Sequence, residues 1–432
     1  MNTVKEANPQ MTETTIQLFK PSYTSIECKL LPVALLLGIA FDRLVQVHFT
    51  TMLTALAFSV FCGLVLTAYL AFNWHQLRWD HISCPLLGSA LALGIWAAIN
   101  NQSEWAALGI MAMFCSLTLF MHYARSSVPA KRAVHHFSHW FASLFVWPFA
   151  GMPHAFGALN AANLINNRTG KRIAIGLLLA VALIGITVPL LAAADGAFSY
   201  YLSAITGRIS ADFWIHALII ATAALLLYSY LWCSMNRPDA PETDATFELN
   251  LDPLICGIGL GALLLVYALF SAVQFAYLFA GTGLPPGMTY ANYAREGFGQ
   301  MMAVVLVNLI LLGTLVSGSQ RTGIITAMLI GLICASGLML ASSLVRLNLY
   351  THAYGLTQDR LLAYWGLGLL CAMTLLSTLR LLRPELPTIA LCAVAAFVLF
   401  AALICMNPDH IIDNYNATHE TLHEQLTSAN PY

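Results

Sequence analysis

The sequence predicts an all-α protein, a polytopic transmembrane helix bundle of about 11 spans plus one re-entrant or interfacial segment. Of its 432 residues, 59% are hydrophobic and only 9% are charged, whereas a soluble domain averages about 25% charged residues. The apolar residues form runs long enough to cross a hydrocarbon layer, which takes about 20 residues per helix. Basic residues concentrate in alternate loops, as they do on the cytoplasmic side of membrane proteins.

Composition also limits the partners. The 19 basic and 20 acidic residues nearly cancel, which gives no support to nucleic-acid binding, so the lipid bilayer is the one partner that composition predicts and protein partners stay unknown. The first 28 residues are polar and lack the apolar core of a signal peptide, so we expect the first span to direct insertion. Ten cysteines lie singly, mostly in apolar runs, and are read as small apolar side chains.

The spans follow from reading the apolar runs in order along the chain. We predict them near residues 30–47, 51–72, 84–100, 105–124, 173–193, 212–233, 252–280, 299–317, 323–345, 361–382 and 387–405.

One further stretch, residues 134–157, has an ambiguous pattern. It reads "VHHFSHWFASLFVWPFAGMPHAFG", with four histidines and two prolines among aromatic residues. Basic clusters lie on both sides of it, at 125–132 and 168–172. Both clusters face the cytoplasm only if the stretch enters the membrane and returns, or lies in the interface, so we predict a re-entrant or interfacial segment.

Eleven spans place the N-terminus in the cytoplasm and the C-terminus outside. With this topology, 14 of the 19 basic residues face the cytoplasm and 5 face outward, which is the expected bias. We divide the chain into a cytoplasmic tail (1–29), an N-terminal membrane bundle (30–233), a cytoplasmic linker (234–252), a C-terminal membrane bundle (253–405) and an extracytoplasmic tail (406–432). No internal repeat relates the two bundles.

Polar residues gather at the predicted outer ends of the spans, whereas the span centres hold almost no ionisable group. Because a charge at the bilayer centre is costly and usually marks an ion route, this distribution argues against a proton-coupled pump. Opposite charges from different helices lower the cost of desolvation if they converge, so we predict one outer polar cluster around Arg295 and Glu296. The candidate ligand-binding residues are Asp195, Gln274, Tyr290, Tyr293, Arg295, Glu296, Arg346, Tyr350, Tyr354, Arg360, Asn407 and Asp409. The alternative is that these charges pair only to hold the loops together.

The histidines of "HHFSHW" have the spacing of metal ligands on a helix, since His135 and His139 are four residues apart and His136 and His139 are three apart. No nearby Asp, Glu or Cys completes a set. We therefore expect an interfacial aromatic and histidine segment, with no metal and no cofactor. No catalytic motif occurs in the chain, so no residue is assigned a catalytic role.

Five stretches together resemble a known family. They read "LLPVALLLGIAFD", "LLAAADGAF", "FAYLFAG…LPPGMTYANYAREGFGQM", "RLNLYTHAYGLTQDRL" and "NPDHIIDNYN". They resemble bacterial polytopic membrane proteins described only as a domain of unknown function (the DUF four-one-seven-three type). The resemblance runs from about residue 30 to 416 and departs at 411–414, where "IIDN" replaces the commoner Ile-Ala-Arg. It implies a multi-pass protein of the bacterial inner membrane, and it supplies no activity. The family pattern falls on Asp195, Gln274, Tyr290, Tyr293, Arg295, Glu296, Gly297, Phe298, Arg346, Tyr350, Tyr354, Gly355, Thr357, Arg360, Asn407, Pro408, Asp409, Tyr415 and Asn416.

Three classes of function are compatible with the sequence. The first is a protein with an outward-facing mixed-charge site that binds or processes a polar ligand, such as an anionic or lipid-linked molecule. The second is a transporter of a small solute, which the number of spans favours and the apolar midplane opposes. The third is a sensor or scaffold subunit whose ion pairs are purely structural. Whether the protein is an enzyme is left open.

Overall fold

The computed structural model describes residues 25–46, 54–126, 133–161, 211–236, 252–274, 297–318 and 322–429, and parts of 176–200. Every regular element in these ranges is helical, which confirms the all-α class. Of the predicted outer cluster, Tyr290, Tyr293, Arg295 and Glu296 and the side chain of Gln274 lie outside the described residues.

The first half of the chain contributes eight labelled helices. The bounds are α1 Ser25–Ala40, which continues as a π-helical turn Phe41–Gln46, α2 Thr54–Asn73 with a 3-10 turn Trp74–Gln76, α3 Ser83–Ile99, α4 Trp105–Tyr123, α5 Ala133–Phe145, α6 Trp147–Ala150, α7 Met152–Ala161 and α8 Ala211–Met235. Residues 190–194 and 196–200 are also helical.

The second half contributes six helices. They are α9 Pro253–Gln274, α10 Phe298–Gly318, α11 Gly323–Tyr354, α12 Gln358–Leu382, α13 Thr388–Cys405 and α14 Pro408–Ala429. The residues of α14 belong to the predicted C-terminal tail, in which the sequence indicated no helix.

The length and composition of the helices make this a membrane-embedded protein. Within the described ranges, eight helices are long and apolar enough to cross a bilayer, namely α2, α4 and α8 to α13. The apolar α3 is somewhat shorter. The predicted span at 173–193 lies mostly outside the described residues, so the count of eleven stays a prediction.

Two apolar clusters hold the described helices together. One contains buried side chains of α1, α2, α3, α4, α7, α8 and α13. The other contains buried side chains of α9, α10, α11 and α12. Residues at the start of α12, such as Leu361, belong to the first cluster, whereas Leu367 and Leu370 belong to the second. Since α13 packs against α3, the two halves of the sequence share contacts, and the predicted division into two bundles stays a prediction.

The segment predicted to be re-entrant forms the three short helices α5, α6 and α7. The first of them packs against α4, where the Trp140 indole donates a hydrogen bond to Thr118 (3.2 Å). The last reaches the beginning of α1, where the Cys28 thiol lies 3.8 Å from the Ala158 carbonyl oxygen. Its two ends thus contact the end of α4 and the start of α1, which lie at one end of the bundle. This is the contact pattern expected of a re-entrant segment, and that interpretation stays a prediction.

The opposite end of the bundle is where three turns meet. They are the α3–α4 turn (residues 100–104), the α11–α12 turn (355–357) and the α13–α14 turn (406–407). We call this end the polar end. It carries the described members of the predicted cluster from the second half of the chain.

Candidate functional site

Asp409, at the start of α14, joins the C-terminal helix to the α3–α4 turn. Its carboxylate accepts a hydrogen bond from the Ser103 hydroxyl (2.9 Å) and another from the Trp105 indole N–H (3.0 Å). Beside them, the Gln358 amide donates to the Glu104 carboxylate (2.8 Å). These bonds link residues more than 250 positions apart, so the polar end is assembled from both halves of the chain.

A side-chain amide fastens α14 to the α11–α12 turn. The Asn416 oxygen accepts from the Leu356 backbone N–H (2.7 Å), and the Asn416 nitrogen donates to the Leu356 carbonyl oxygen (2.9 Å). The preceding Gly355 has φ 76° and ψ 179°, a conformation that is essentially restricted to glycine. A Cβ at this position would lie 2.7 Å from the Asn416 oxygen. The turn therefore needs glycine both for its backbone conformation and for the close approach of the amide.

Arg360 is the cation of this turn. Its guanidinium lies over the Tyr350 ring, 4.2 Å from the ring centroid, and 5.9 Å from that of Tyr354. Its Nη1 donates to the Tyr354 carbonyl oxygen (2.8 Å) and to that of Gly355. Arg360 thus caps the C-terminus of α11, where a positive charge is favourable. Within the described part of the chain, no carboxylate lies within ion-pair distance of it.

The second arginine of the motif, Arg346, is buried on α11. A Cβ at Gly297, just before α10, would lie 2.9 Å from its Nη1 atom, so the Arg346 guanidinium lies close against the Gly297 backbone. Between the two arginines, the Tyr364 hydroxyl donates to the Asn348 oxygen (2.7 Å). This bond joins α11 to α12 at a position between the two arginines.

Two further residues of the motifs, Asn407 and Tyr415, lie at the polar end, and a ligand-binding role for Asn407 stays a prediction. Asn407 has φ 58°, a left-handed conformation that asparagine tolerates better than most residues, and it reverses the chain between α13 and α14. Burial raises the pKa of the Tyr415 phenol, and Tyr364 adds to the increase. Tyr415 accordingly stays neutral and acts as a packing and hydrogen-bonding group.

The structure brings some predicted residues together and leaves others apart. Tyr350, Tyr354 and Arg360 form one contact group. Asp409 contacts the α3–α4 turn, and no described arginine pairs with it. Asp195 is exposed and accepts a hydrogen bond from the Ala197 N–H in its own loop. Whether Arg295 and Glu296 join these groups stays a prediction, because both lie outside the described residues.

Sequence reasoning missed the partners that lie far away in the chain. Ser103, Glu104 and Trp105 received no role, because nothing in "NQSEW" reveals that α14 packs on it. The histidine segment also has an unforeseen partner. His136 lies 2.9 Å from His122 on α4, measured between ring nitrogens, and stacks on Tyr123. In the described ranges, no group of three or more His, Cys, Asp or Glu residues is arranged to hold a metal.

The arrangement around Arg360 has the chemistry of an anion site. Guanidinium groups bind carboxylate and phosphate oxygens through two parallel hydrogen bonds. Here Nη1 is engaged by backbone carbonyl oxygens, while Nε and Nη2 make no hydrogen bond to any described residue. Two tyrosine rings hold the guanidinium in place. An anion that approaches the polar end would find this group already positioned.

Comparison with known proteins gives a family. The family model described as "Domain of unknown function (DUF4153)" matches residues 60–427. The match runs from within α2 to near the end of α14 and includes all the candidate residues. Its number, 4153, differs from that of the four-one-seven-three type, which the sequence motifs resemble. No curated protein and no solved structure is significantly similar to the chain.

Proposed function

Because the chain belongs to the DUF4153 family, a domain of unknown function, we propose from its geometry that its polar end binds the anionic group of a polar or lipid-linked ligand. The observation that carries the proposal is Arg360, a partly buried cation with no carboxylate partner among the described residues. Tyr350 and Tyr354 on the neighbouring helix hold its guanidinium, and the proposed site also includes the buried Arg346 and the predicted contributors Arg295 and Glu296.

We place the polar end outside the cytoplasm, in a bacterial inner membrane. The support comes from the opposite end of the bundle, which carries basic residues that bind helix ends. Arg78 donates to the Ser126 carbonyl oxygen (3.1 Å), and Arg125 donates to the Ser234 and Met235 carbonyl oxygens at the end of α8. Basic residues of this kind are typical of cytoplasmic ends.

Ligand binding can be tested without knowing the natural ligand. The full chain in nanodiscs of zwitterionic phosphatidylcholine is titrated with anionic phosphatidylglycerol, or separately with inorganic phosphate, and its melting temperature is measured. A ligand that binds only the folded state raises the melting temperature, and the increase grows with ligand concentration. A response to the lipid only would identify a membrane-resident ligand, and a response to phosphate would identify a free anion.

The informative comparison is between two arginines of one helix. We expect Arg360→Gln to remove the ligand-induced increase, and Arg383→Gln, an exposed arginine just beyond the other end of α12, to keep it. The readout is the ligand-induced increase in melting temperature and not the melting temperature itself. The reason is that Arg360→Gln removes the cap of α11 and so lowers stability even without a ligand. Equal increments in the wild type and in both variants would contradict the proposal.

The alternatives differ in what they require of the bundle. A solute transporter requires a polar route through the midplane. In the middle of the second cluster, Tyr267, Asn308 and Ser336 form a chain of hydrogen bonds (2.6 and 3.0 Å), and each side chain in it has a partner. A sensor or scaffold subunit requires no ligand, so an absent response in the titration would favour it.

A further inference from the structure

An open groove lies between α9 and α11, at the surface of the second apolar cluster. Its volume is about 270 Å³, and it is lined by residues within 264–271 of α9 and 331–338 of α11. Both helices are long and apolar enough to cross a bilayer. Leu265 and Leu269, beside the groove on α9, are exposed, so the groove opens to the surroundings of the bundle.

The two helices that form the groove run parallel to each other. A Cβ at Gly261 would lie 3.7 Å from Met328, and one at Gly331 would lie 3.4 Å from Leu264, so later positions of α9 meet later positions of α11. The lining positions are spaced three and four residues apart on both helices, which places them on one face of each helix. The groove therefore runs along the helix axes for about 10 Å, the direction in which lipid chains lie beside a membrane helix.

The lining of the groove is suited to hydrocarbon. Small residues such as Ala268 and Gly331 make room for it. The two hydroxyl groups in the lining donate hydrogen bonds inside the protein, Tyr267 to the Asn308 oxygen (2.6 Å) and Ser271 to the Tyr267 carbonyl oxygen (2.6 Å). The surface that remains fits an apolar ligand and not a polar solute.

The volume of the groove limits what can occupy it. A helix with its side chains is about 10 to 12 Å wide, so a helical segment as long as the groove would need about 800 Å³ or more. That is several times the 270 Å³ of the groove. A single hydrocarbon chain is narrow enough, and the bilayer around the helices supplies such chains.

A cation lies beyond one end of the groove. Arg346 follows Ala335 by eleven residues, which is three turns of helix, so the two lie on the same face of α11. From Leu338, at the end of the groove, the distance along the helix is about 12 Å to Arg346 and about 18 Å to Tyr350. The Tyr350 ring contacts the Arg360 guanidinium. A chain that reaches the groove can therefore carry an anionic group at the polar end.

We propose that the groove between α9 and α11 binds the hydrocarbon chain of a lipid-linked anion whose charged group lies at the polar end. This assignment rests on the proposed function for the charged group, and on the groove alone for the chain. It narrows the class of ligand, because the anion must carry a chain that extends beyond about 12 to 18 Å to reach the groove. A free anion or a short ester lacks this contact.

Two phosphate esters that differ only in chain length test the groove. Butyl phosphate is too short to reach it from the polar end, and hexadecyl phosphate is long enough. The full chain in phosphatidylcholine nanodiscs is titrated with each ester, as wild type, Ala268→Phe and Ala262→Phe, and the increase in melting temperature is measured. Both alanines are exposed on α9, so both variants are expected to fold. Only Ala268 lines the groove, so phenylalanine fills the groove in that variant alone.

We expect Ala268→Phe to need a severalfold higher concentration of hexadecyl phosphate than Ala262→Phe for the same increase in melting temperature. The two variants should respond equally to butyl phosphate. Equal responses of the two variants to hexadecyl phosphate would overturn the groove as a chain site. In that case, a response to phosphate that Arg360→Gln removes would leave the proposed function standing.

A photoactivatable chain decides the question even if neither ester changes the melting temperature. Hexadecyl phosphate with a diazirine in its chain is irradiated in the nanodisc, and labelled peptides are mapped by mass spectrometry. We expect label concentrated on 264–271 and 331–338, and reduced severalfold in Ala268→Phe but not in Ala262→Phe. Label spread evenly over α9, or excluded from the groove because a second copy of the chain covers it, would overturn the proposal. Groove labelling that Arg360→Gln leaves unchanged would support the groove and contradict the anion at Arg360.

Discussion

Gly355 is the residue with the strictest local requirement, because its position accepts only a residue without a side chain. Its backbone lies in a region that costs other residues about 1 to 3 kcal/mol, and Asn416 occupies the space of a Cβ. We expect Gly355→Ala to lower the free energy of unfolding by about 2 kcal/mol. Gly368→Ala is the control, since no neighbour lies within 4 Å of that site on α12. Unfolding in mixed micelles measures both, and equal stability of the two variants would contradict the assignment.

Asp80 is a residue whose effect depends on pH. Partial burial acts to raise the pKa of its carboxyl, but hydrogen bonds from the Ser83 N–H (2.8 Å), the Ser83 hydroxyl (2.7 Å) and the Ile82 N–H (3.0 Å) lower the pKa below its usual value. A carboxyl with a depressed pKa stabilises the folded state above its unfolded pKa of about 3.9, and this contribution is lost as pH falls through the folded value.

Asp80→Ala is therefore expected to cost about 1 kcal/mol at pH 7, the usual value of a carboxylate cap. The difference from the wild type should shrink below about pH 4. Thermal unfolding of the wild type and of Asp80→Ala at pH 7 and pH 3 tests both statements. Asp252→Ala serves for comparison as a second capping variant, because the Asp252 carboxylate accepts a hydrogen bond from the Leu254 N–H at the start of α9 (2.7 Å). A cost that stays constant with pH would show that the charge of Asp80 plays no part.

Among the helices, α9, α10 and α11 are joined by the polar chain of Tyr267, Asn308 and Ser336. Hydrogen bonds between membrane helices contribute about 0.6 kcal/mol on average and about 1.7 at most. We expect a double-mutant cycle with Tyr267→Phe and Asn308→Ala to give a coupling energy in that range. The exposed Thr314 bonds within α10, so Tyr267→Phe with Thr314→Val should give none. A coupling energy near zero for the first pair would mean that the bond adds nothing to helix association.

The helices also show what a single sequence can predict. Apolar runs predicted the cores of α2, α4 and α8 to α13, because the part of a helix that crosses the hydrocarbon must be predominantly apolar. The same criterion missed α14, a polar helix whose stability depends on packing against α12 and α13. The contacts of Asp409 with Trp105 and of Asp42 with His216 join residues remote in sequence. No local pattern encodes such distances, so the candidate residues could be named but not their partners.

The orientation of the whole molecule is the prediction on which the outward site depends. In a variant without the native cysteines, single cysteines at positions 284 and 425 should react with a membrane-impermeant thiol reagent added to intact cells. One at position 240, in the predicted cytoplasmic linker, should react only after the cells are opened. The reverse labelling would place Arg360 in the cytoplasm.

The helix α11 is longer than a hydrocarbon layer is thick, which bears on the proposed ligand of Arg360. The helix has 32 residues and so extends about 48 Å at 1.5 Å per residue, against a hydrocarbon thickness of about 30 Å. Its apolar part, 323–345, accounts for about 34 Å, and its polar part, 346–354, rises about 14 Å further. If the apolar part spans the hydrocarbon without tilt, the polar part lies at the level of the phospholipid phosphates. A headgroup could reach Arg360 by lateral diffusion, with its acyl chains still in the leaflet.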